Sequence, residues 1–181
     1  MSSLSVSSVP AGTPSSVWID VMQDADGADV DALHAAAFGP GRFARTAFRL
    51  RERAAPVIAC SFVARMEGRL VGAVSMSRLV IGGKEVGTRG LLLGPLAVSP
   101  DHRDVGVGRA LLGQAVQTAF ASGEPYVLLV GDLPYYAPAG FQRVPPGSMV
   151  LPGPVDPMRL LMALSPSWEG AAPTGRVEGA A

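Results

Sequence analysis

One stretch, LLLGPLAVSPDHRDVGVGRALL (residues 91–112), restricts this chain more than any other. Its first eight residues are apolar at almost every position. Such a run needs cover on both faces and belongs to a strand buried inside a sheet. Yet Gly94-Pro95 interrupts it, and proline gives no N–H to a ladder, which confines it to edges, strand starts and bulges. The two demands are reconciled if the strand is central and bulged at these residues. The stretch then passes through Gly106 and Gly108 into an apolar helical pattern. Glycine in an ordered turn costs conformational entropy, so the backbone there needs either a positive φ or room. A plain strand-to-helix turn would answer that need. So would an anion cradle, in which bare N–H groups at a helix N-terminus face a phosphate.

The rest of the chain supplies a sheet around this strand. VWIDVMQ (17–23) alternates apolar and polar residues and predicts a strand. In ADVDALHAAAFG, Val30, Leu33, Ala37 and Phe38 share a helical face and Gly39 is a stop. GRFARTAFRLRERAAP predicts a second helix with Phe43, Ala47, Leu50 and Ala54 as its apolar stripe and Pro56 as its end. Arg42, Arg45, Arg49 and Arg53 also fall at helical spacing, as a solvated basic face or as a surface that meets an acidic acceptor. From residue 57 the pattern changes to three consecutive strands, with turns at Glu67-Gly68 and Gly82-Gly83. After the glycine turn, Leu111, Leu112, Ala115, Val116, Ala119 and Phe120 mark one helical face, capped by Gly123. YVLLVGD (126–132) reads as a short buried strand and LPYYAPAGF as a turn or two of helix. Strand fragments then flank a Pro/Gly-rich loop and end in RLLMALS. This divides the chain into a flexible tail (1–16), one domain (17–165) and a small, polar, peripheral tail (166–181).

Composition excludes several classes. Fifteen basic residues balance fifteen acidic ones, which argues against a broad nucleic-acid surface. One cysteine, Cys60, allows no intrachain disulfide, and with two histidines there is no metal-ligand spacing. No apolar run reaches the roughly 18 residues of a membrane span, and the first residues lack the pattern of a signal peptide. The expectation is a cytoplasmic protein that engages neither nucleic acid nor membrane and holds no metal.

Three phosphate-binding patterns compete for the glycine turn. GxxxxGK[ST] is absent, and GxGxxG fails where Leu111 stands in the third glycine position. The third is R-x-x-G-x-G, Arg103 to Gly108, between a bulged strand and a helix. That arrangement resembles the coenzyme A signature of the GCN5-related N-acetyltransferases. LGPLAVSPDHRDVGVGRALL is similar to their core motif over its length, and VLLVGDLPYYAPAGF resembles their later motif through Tyr136, Gly140 and Phe141. The resemblance covers about 17–164 and is nearest the branch typified by the protein YhbS.

The resemblance implies an α/β fold in which a mixed, mostly antiparallel sheet splays into a V with helices on both faces. It implies acetyl-CoA as cosubstrate and a small-molecule or peptide amine as acceptor. Val105, Gly106, Val107, Gly108 and Arg109, led in by Arg103 and Asp104, would meet the pyrophosphate. Gly106 and Gly108 would let the backbone come close. Leu96, Ala97 and Val98 would meet the pantetheine arm, with the Val98 amide as oxyanion donor. Tyr136 would protonate the leaving thiolate.

Two departures follow. Asp104 suits an anion cradle only if it points to solvent or pairs with Arg103 or Arg109. No carboxylate lies between Leu91 and Val98, so Asp132 or a water chain would take the amine's proton; Asp132 could instead cap the following turn. Tyr135 reads as the packing member of the tyrosine pair, His102 as a solvated loop residue, His34 as structural and Cys60 as a core thiol in a strand. The acceptor pocket is expected between the two early helices and the Pro-rich loop. An acyl-CoA sensing module that needs no Tyr136, and a nucleotide-binding protein of other chemistry, remain alternatives. An exposed strand edge expected at the C-terminal end is compatible with a homodimer.

Overall fold

The computed structural model describes residues 17–41, 45–83 and 86–181; the N-terminal tail, Arg42 and Phe43 lie outside the described residues. The strands are β1 (Val17–Val21), β2 (Phe62–Met66), β3 (Arg69–Gly82), β4 (Thr88–Val98), β5 (Tyr126–Val130), β6 (Gln142–Arg143), β7 (Met149–Val150), β8 (Leu160–Leu164) and β9 (Gly175–Gly179). The helices are α1 (Gly27–Phe38), α2 (Thr46–Arg51), α3 (Val107–Ala121) and α4 (Leu133–Tyr136). One sheet runs in the order β1-β2-β3-β4-β5-β8-β6, with β9 on β3 and β7 on β9. Among the described residues only the β4–β5 and β7–β9 pairs are parallel, so the sheet is mixed and mostly antiparallel, with helices on both faces, as expected.

Periodicity explains the layers. Val127, Leu129, Leu161 and Ala163 face one core together with Leu111, Ala115 and Ala119 of α3. Their neighbours Tyr126, Leu128, Leu160 and Met162 face the other side, where they join Leu50 of α2. Val30 and Leu33 of α1 pack on Ala73 and Ala97. The β2–β3 hairpin turns on Glu67 (φ 49) and Gly68 (φ 77), a two-residue loop with both φ positive, whose twist matches that of the strands.

The bulge in β4 is where the sequence puts it. Val74 of β3 faces Leu96, but Met76 faces Leu93, so β4 carries one more residue than its partner across Gly94 and Pro95. The extra residue reverses the alternation. Leu91 and Leu93 before it, and Leu96 and Val98 after it, all join the α3 side of the sheet. The Gly94–Pro95 peptide is cis.

Three expectations are corrected. The 166–181 segment is not peripheral. Its β9 pairs with Leu79–Gly82 of β3, on the side that β2 covers earlier along the strand, and Val177 is buried. On its other side β7 pairs with its first two residues, Gly175 and Arg176. The second helix is a short α2 ending at Arg51 because the chain leaves α2 to meet the sheet, with Ala55 N–H bonded to Ala180 O at 2.7 Å. Cys60 is a buried core thiol, but it closes a 3-10 turn, Ile58–Cys60, ahead of β2.

The end of β9 supports α2 by backbone contact. A Cβ on Gly179 would run into the Leu50 carbonyl oxygen and lie 2.8 Å from Arg53 C. Both obstacles are main chain and cannot rotate away. Gly179→Val is expected to destabilise the protein by about 2 kcal/mol or more, in the range of overpacking, and to lower Tm by several degrees. Thermal unfolding measured by circular dichroism checks this.

Candidate functional site

The glycine turn is built by two left-handed residues. Asp104 (φ 64) and Gly106 (φ 90) turn the chain from the Pro100–His102 turn into α3, with Gly106 as N-cap. Aspartate tolerates this region better than most residues. No side chain caps α3, and Ala110 N–H is bonded to Gly106 O at 3.0 Å. The amides of Val107, Gly108 and Arg109 precede that first bond and have no intrahelical acceptor. Fifteen aligned peptides place the positive end of their dipole there. The arrangement suits a phosphate-bearing ligand.

The sheet opens beside this turn. β4 and β5 pair only at Leu91↔Val127 and Leu92↔Leu128. Beyond them the strands part, and the bulge lies on the parting edge. Leu93, Gly94, Pro95 and Leu96 on one side, and Leu129, Val130 and Gly131 on the other, line a cavity of about 640 Å³. Its remaining wall comes from α2, from Tyr135 and Tyr136 of α4, and from the loop bearing Pro154, Asp156 and Arg159. The early helices and the Pro-rich loop, the segments expected to build an acceptor pocket, thus share the wall of this cavity. Thr46 Oγ1 of α2 donates to Pro154 O at 2.7 Å and ties two of these walls together.

The tyrosines stand edge to face, with ring centroids 4.9 Å apart, and Tyr136 meets Phe141 in the same way at 5.9 Å. Burial, reinforced by Tyr135 and Asp132, pushes the Tyr136 hydroxyl up to about 12. Burial raises Tyr135 as well, and Arg109 works against that rise. Both are therefore protonated at neutral pH.

A match to the acetyltransferase (GNAT) family spans residues 28–141. The chain is 29% identical over 122 residues to the uncharacterized N-acetyltransferase YjhQ of Escherichia coli (strain K12), covering 67% of each. Its fold is similar to that of the GNAT N-acetyltransferase YhbS of Escherichia coli, solved with CoA (TM-score 0.75, 23% identity, 90% of this chain and 89% of that one). It is also similar to a GNAT acetyltransferase of Brucella melitensis solved with acetyl-CoA (TM-score 0.58, 26% identity, 80% and 94%). The chain belongs to the GNAT acetyltransferase family.

In this GNAT fold the residues singled out from sequence form two groups. Leu96, Ala97 and Val98 end β4 opposite Val74, Ala73 and Gly72. Leu96 and Val98 join the α3 side while Ala97 is buried against α1. Arg103, Asp104, Val105 and Arg109 are exposed around the turn, with Val107 and Gly108 buried beneath it. Asp104 makes no ion pair among the described residues and points to solvent, the first of its two expected states. Asp132 does not cap α4 with its side chain. Its Oδ1 accepts from Arg159 Nε at 3.0 Å on the cavity rim, beside Tyr136.

Two features escaped the sequence. The room left by Gly108 is filled by a side chain: a Cβ there would collide with Tyr135 Oη. Tyr135 is a packing residue, as expected, and its packing reaches across to the first turn of α3. Arg51 lines the cavity although it is off the basic stripe. An apolar neighbour of each, Leu133 or Leu50, dominates the local pattern and hides it.

The contact at Gly108 can be tested by pairing substitutions. Gly108→Ala is expected to destabilise the protein by roughly 1–3 kcal/mol through overpacking. In a Tyr135→Phe background the colliding oxygen is gone, and the same change should be close to neutral, since alanine is favoured over glycine in a helix by about 1 kcal/mol. Chemical denaturation of the four proteins of the cycle measures the difference.

Proposed function

We propose that the protein transfers the acetyl group of acetyl-CoA to a primary amine by direct attack, at the cavity where β4 and β5 part. The observation that carries this is the junction of an amide-rich turn at the start of α3, a bulged strand edge left without a partner, and a protonated tyrosine on one wall. Acetyl-CoA supplies an activated acetyl thioester. The amides of Val105 to Arg109 receive its pyrophosphate, with Arg103 adding positive charge. Asp104 turns outward and does not oppose it. Backbone groups of Leu96 to Val98, unpaired on the β5 side, hydrogen-bond the amide-rich arm.

The amine enters from the α2 side. Its nitrogen bonds to the thioester carbon while the Val98 amide stabilises the charge that gathers on the carbonyl oxygen. When the C–S bond breaks, Tyr136 gives its proton to the leaving sulfur. The proton lost by the amine passes through water, with Asp132 as the neighbouring carboxylate, and restores the tyrosine.

Acetyl-CoA at about 100 times its Kd adds roughly 2.7 kcal/mol of stability. A thermal shift of several degrees with acetyl-CoA, and none with ATP or NAD, is expected. Tyr136→Phe should keep that shift and lower kcat for thiol release by about 100-fold or more. Retained turnover would remove Tyr136 from the chemistry, and retained binding with no turnover in the unaltered protein would favour a sensor.

The pH profile has a definite sign. A general acid works while protonated and fails as pH rises through its pKa. With Tyr136 near 12, kcat should climb with pH as the amine loses its proton and show no alkaline fall below about pH 10. A fall centred near pH 8 in buffered turnover assays would point to a different proton donor.

A further inference from the structure

The polar groups of the cavity wall are unevenly satisfied. Asp132 is taken by Arg159 at 3.0 Å. Asp156, exposed at the rim, accepts from Met158 N–H at 2.9 Å. Arg51 is half-buried, and its guanidinium has no hydrogen bond or ion pair among the described residues. Its nearest charged influence is a second cation, Arg45, which stands over the Phe38 ring at 5.5 Å. Burial and Arg45 together bring Arg51 down to about 10, so it keeps its charge at neutral pH without a counter-ion. A half-buried guanidinium that still reaches the cavity solvent is open to a bound anion, with which it forms stronger bonds than neutral groups do.

Arg51 is also held in place. Leu50 beside it is 2% exposed in the core, Thr46 is bonded to Pro154, and β9 closes on the carbonyl of Leu50. Its guanidinium faces the bulge: a Cβ on Gly94 would lie 3.4 Å from Arg51 Nη1. The amide-rich turn lies at the other end of the split, past Val98, which is about 13 Å of strand from Gly94. Arg51 therefore belongs to the acceptor end of the cavity.

We propose that the acceptor is an amine carrying an anionic group, a carboxylate or a phosphate, and that Arg51, with Arg45 beside it, receives that group. The inference rests on the acetyl-transfer reading above. A planar guanidinium can take either anion through two parallel N–H bonds, leaving the amine end to reach the thioester. The cavity volume suits a small molecule.

The test is thiol release from acetyl-CoA with two matched pairs of probes, β-alanine against β-alaninamide and phosphoethanolamine against ethanolamine, with tyramine and spermidine as acceptors lacking an anion. In at least one pair the anionic amine should have a kcat/KM about 10- to 100-fold above its neutral partner, the scale of a charge-assisted contact. The pair that responds separates carboxylate from phosphate. Arg51→Met should abolish that preference through KM of the amine, and Arg51→Lys should restore part of it. Both variants should keep the acetyl-CoA thermal shift, which also shows that they fold. Neutral amines or spermidine turned over as well as the anionic probes, a preference that survives Arg51→Met, or a rise in the KM of acetyl-CoA in place of the amine's, would each overturn the inference and leave acetyl transfer standing. Turnover of none of the six also overturns it. If acetyl-CoA then gives no thermal shift either, the acetyl-transfer reading falls with it.

Discussion

Everything at the site depends on one extra residue in β4. A strand in the middle of a sheet normally has both edges paired, because an unpaired buried N–H or C=O costs about as much as a lost hydrogen bond. At Gly94 and Pro95 the register with β3 slips by one, and just before that point the pairing with β5 stops. The slip keeps Leu93 and Leu96 on the same side of the sheet, both towards α3. The core under α3 therefore continues unbroken while the sheet above it splits. Without the slip, the second half of β4 would send Leu96 and Val98 to the α1 side and Ala97 beneath α3, undoing both cores. The split is thus a consequence of keeping the core intact, and it leaves a polar edge suited to an amide-rich ligand.

The α2 wall of the cavity depends on the last residues of the chain. α2 is only six residues long, too short to be stable alone, and it holds its place through Leu50 in the core and through β9 against its C-terminal backbone. The sheet behind it is also tied down at a distance. Arg78 of β3 meets both carboxylate oxygens of Glu124 at 2.6 Å, and Tyr126 at the start of β5 donates to Thr88 O of β4 at 3.1 Å. These bonds fix the closed end of the split, where β4 and β5 still pair, so the parting further along is a stable geometry.

Much of this was legible in the sequence where the signal is local. The apolar run with Gly94-Pro95, the Glu67-Gly68 turn, the face of α3 and the Tyr-x-x-x-Gly-Phe spacing each state their structure within a few residues. β9 was not legible, because GRVEG has one large apolar residue, Val177, and its partner on β3 lies almost a hundred residues earlier. Nor was Arg51. Helical spacing drawn through the longer expected helix selects Arg45, Arg49 and Arg53, but the real α2 ends at Arg51 and a separate packing constraint aims that side chain inward. Tyr135 reads as a packing residue and is one, but its partner Gly108 lies across the fold, where no sequence pattern links the two. Asp104 looked misplaced beside a glycine turn; its left-handed backbone, which aspartate tolerates, and its exposed side chain are what the structure shows there.

The absence of a carboxylate on β4 then has an electrostatic counterpart on α2. An amine must be neutral to attack, and a nearby cation disfavours its protonated form. An unpaired guanidinium at the α2 wall does so by an amount that falls with its distance from the nitrogen. Asp132 is matched by Arg159 and Asp156 is solvated at the rim, so neither cancels Arg45 and Arg51 inside the cavity. A single bound anionic charge on the acceptor would neutralise one of the two and leave the other acting on the amine. The same pair would recognise the acceptor by its charge and lower the cost of deprotonating it. A weakly basic outlet through water and Asp132 then suffices, and Tyr136 can stay protonated for the departing sulfur.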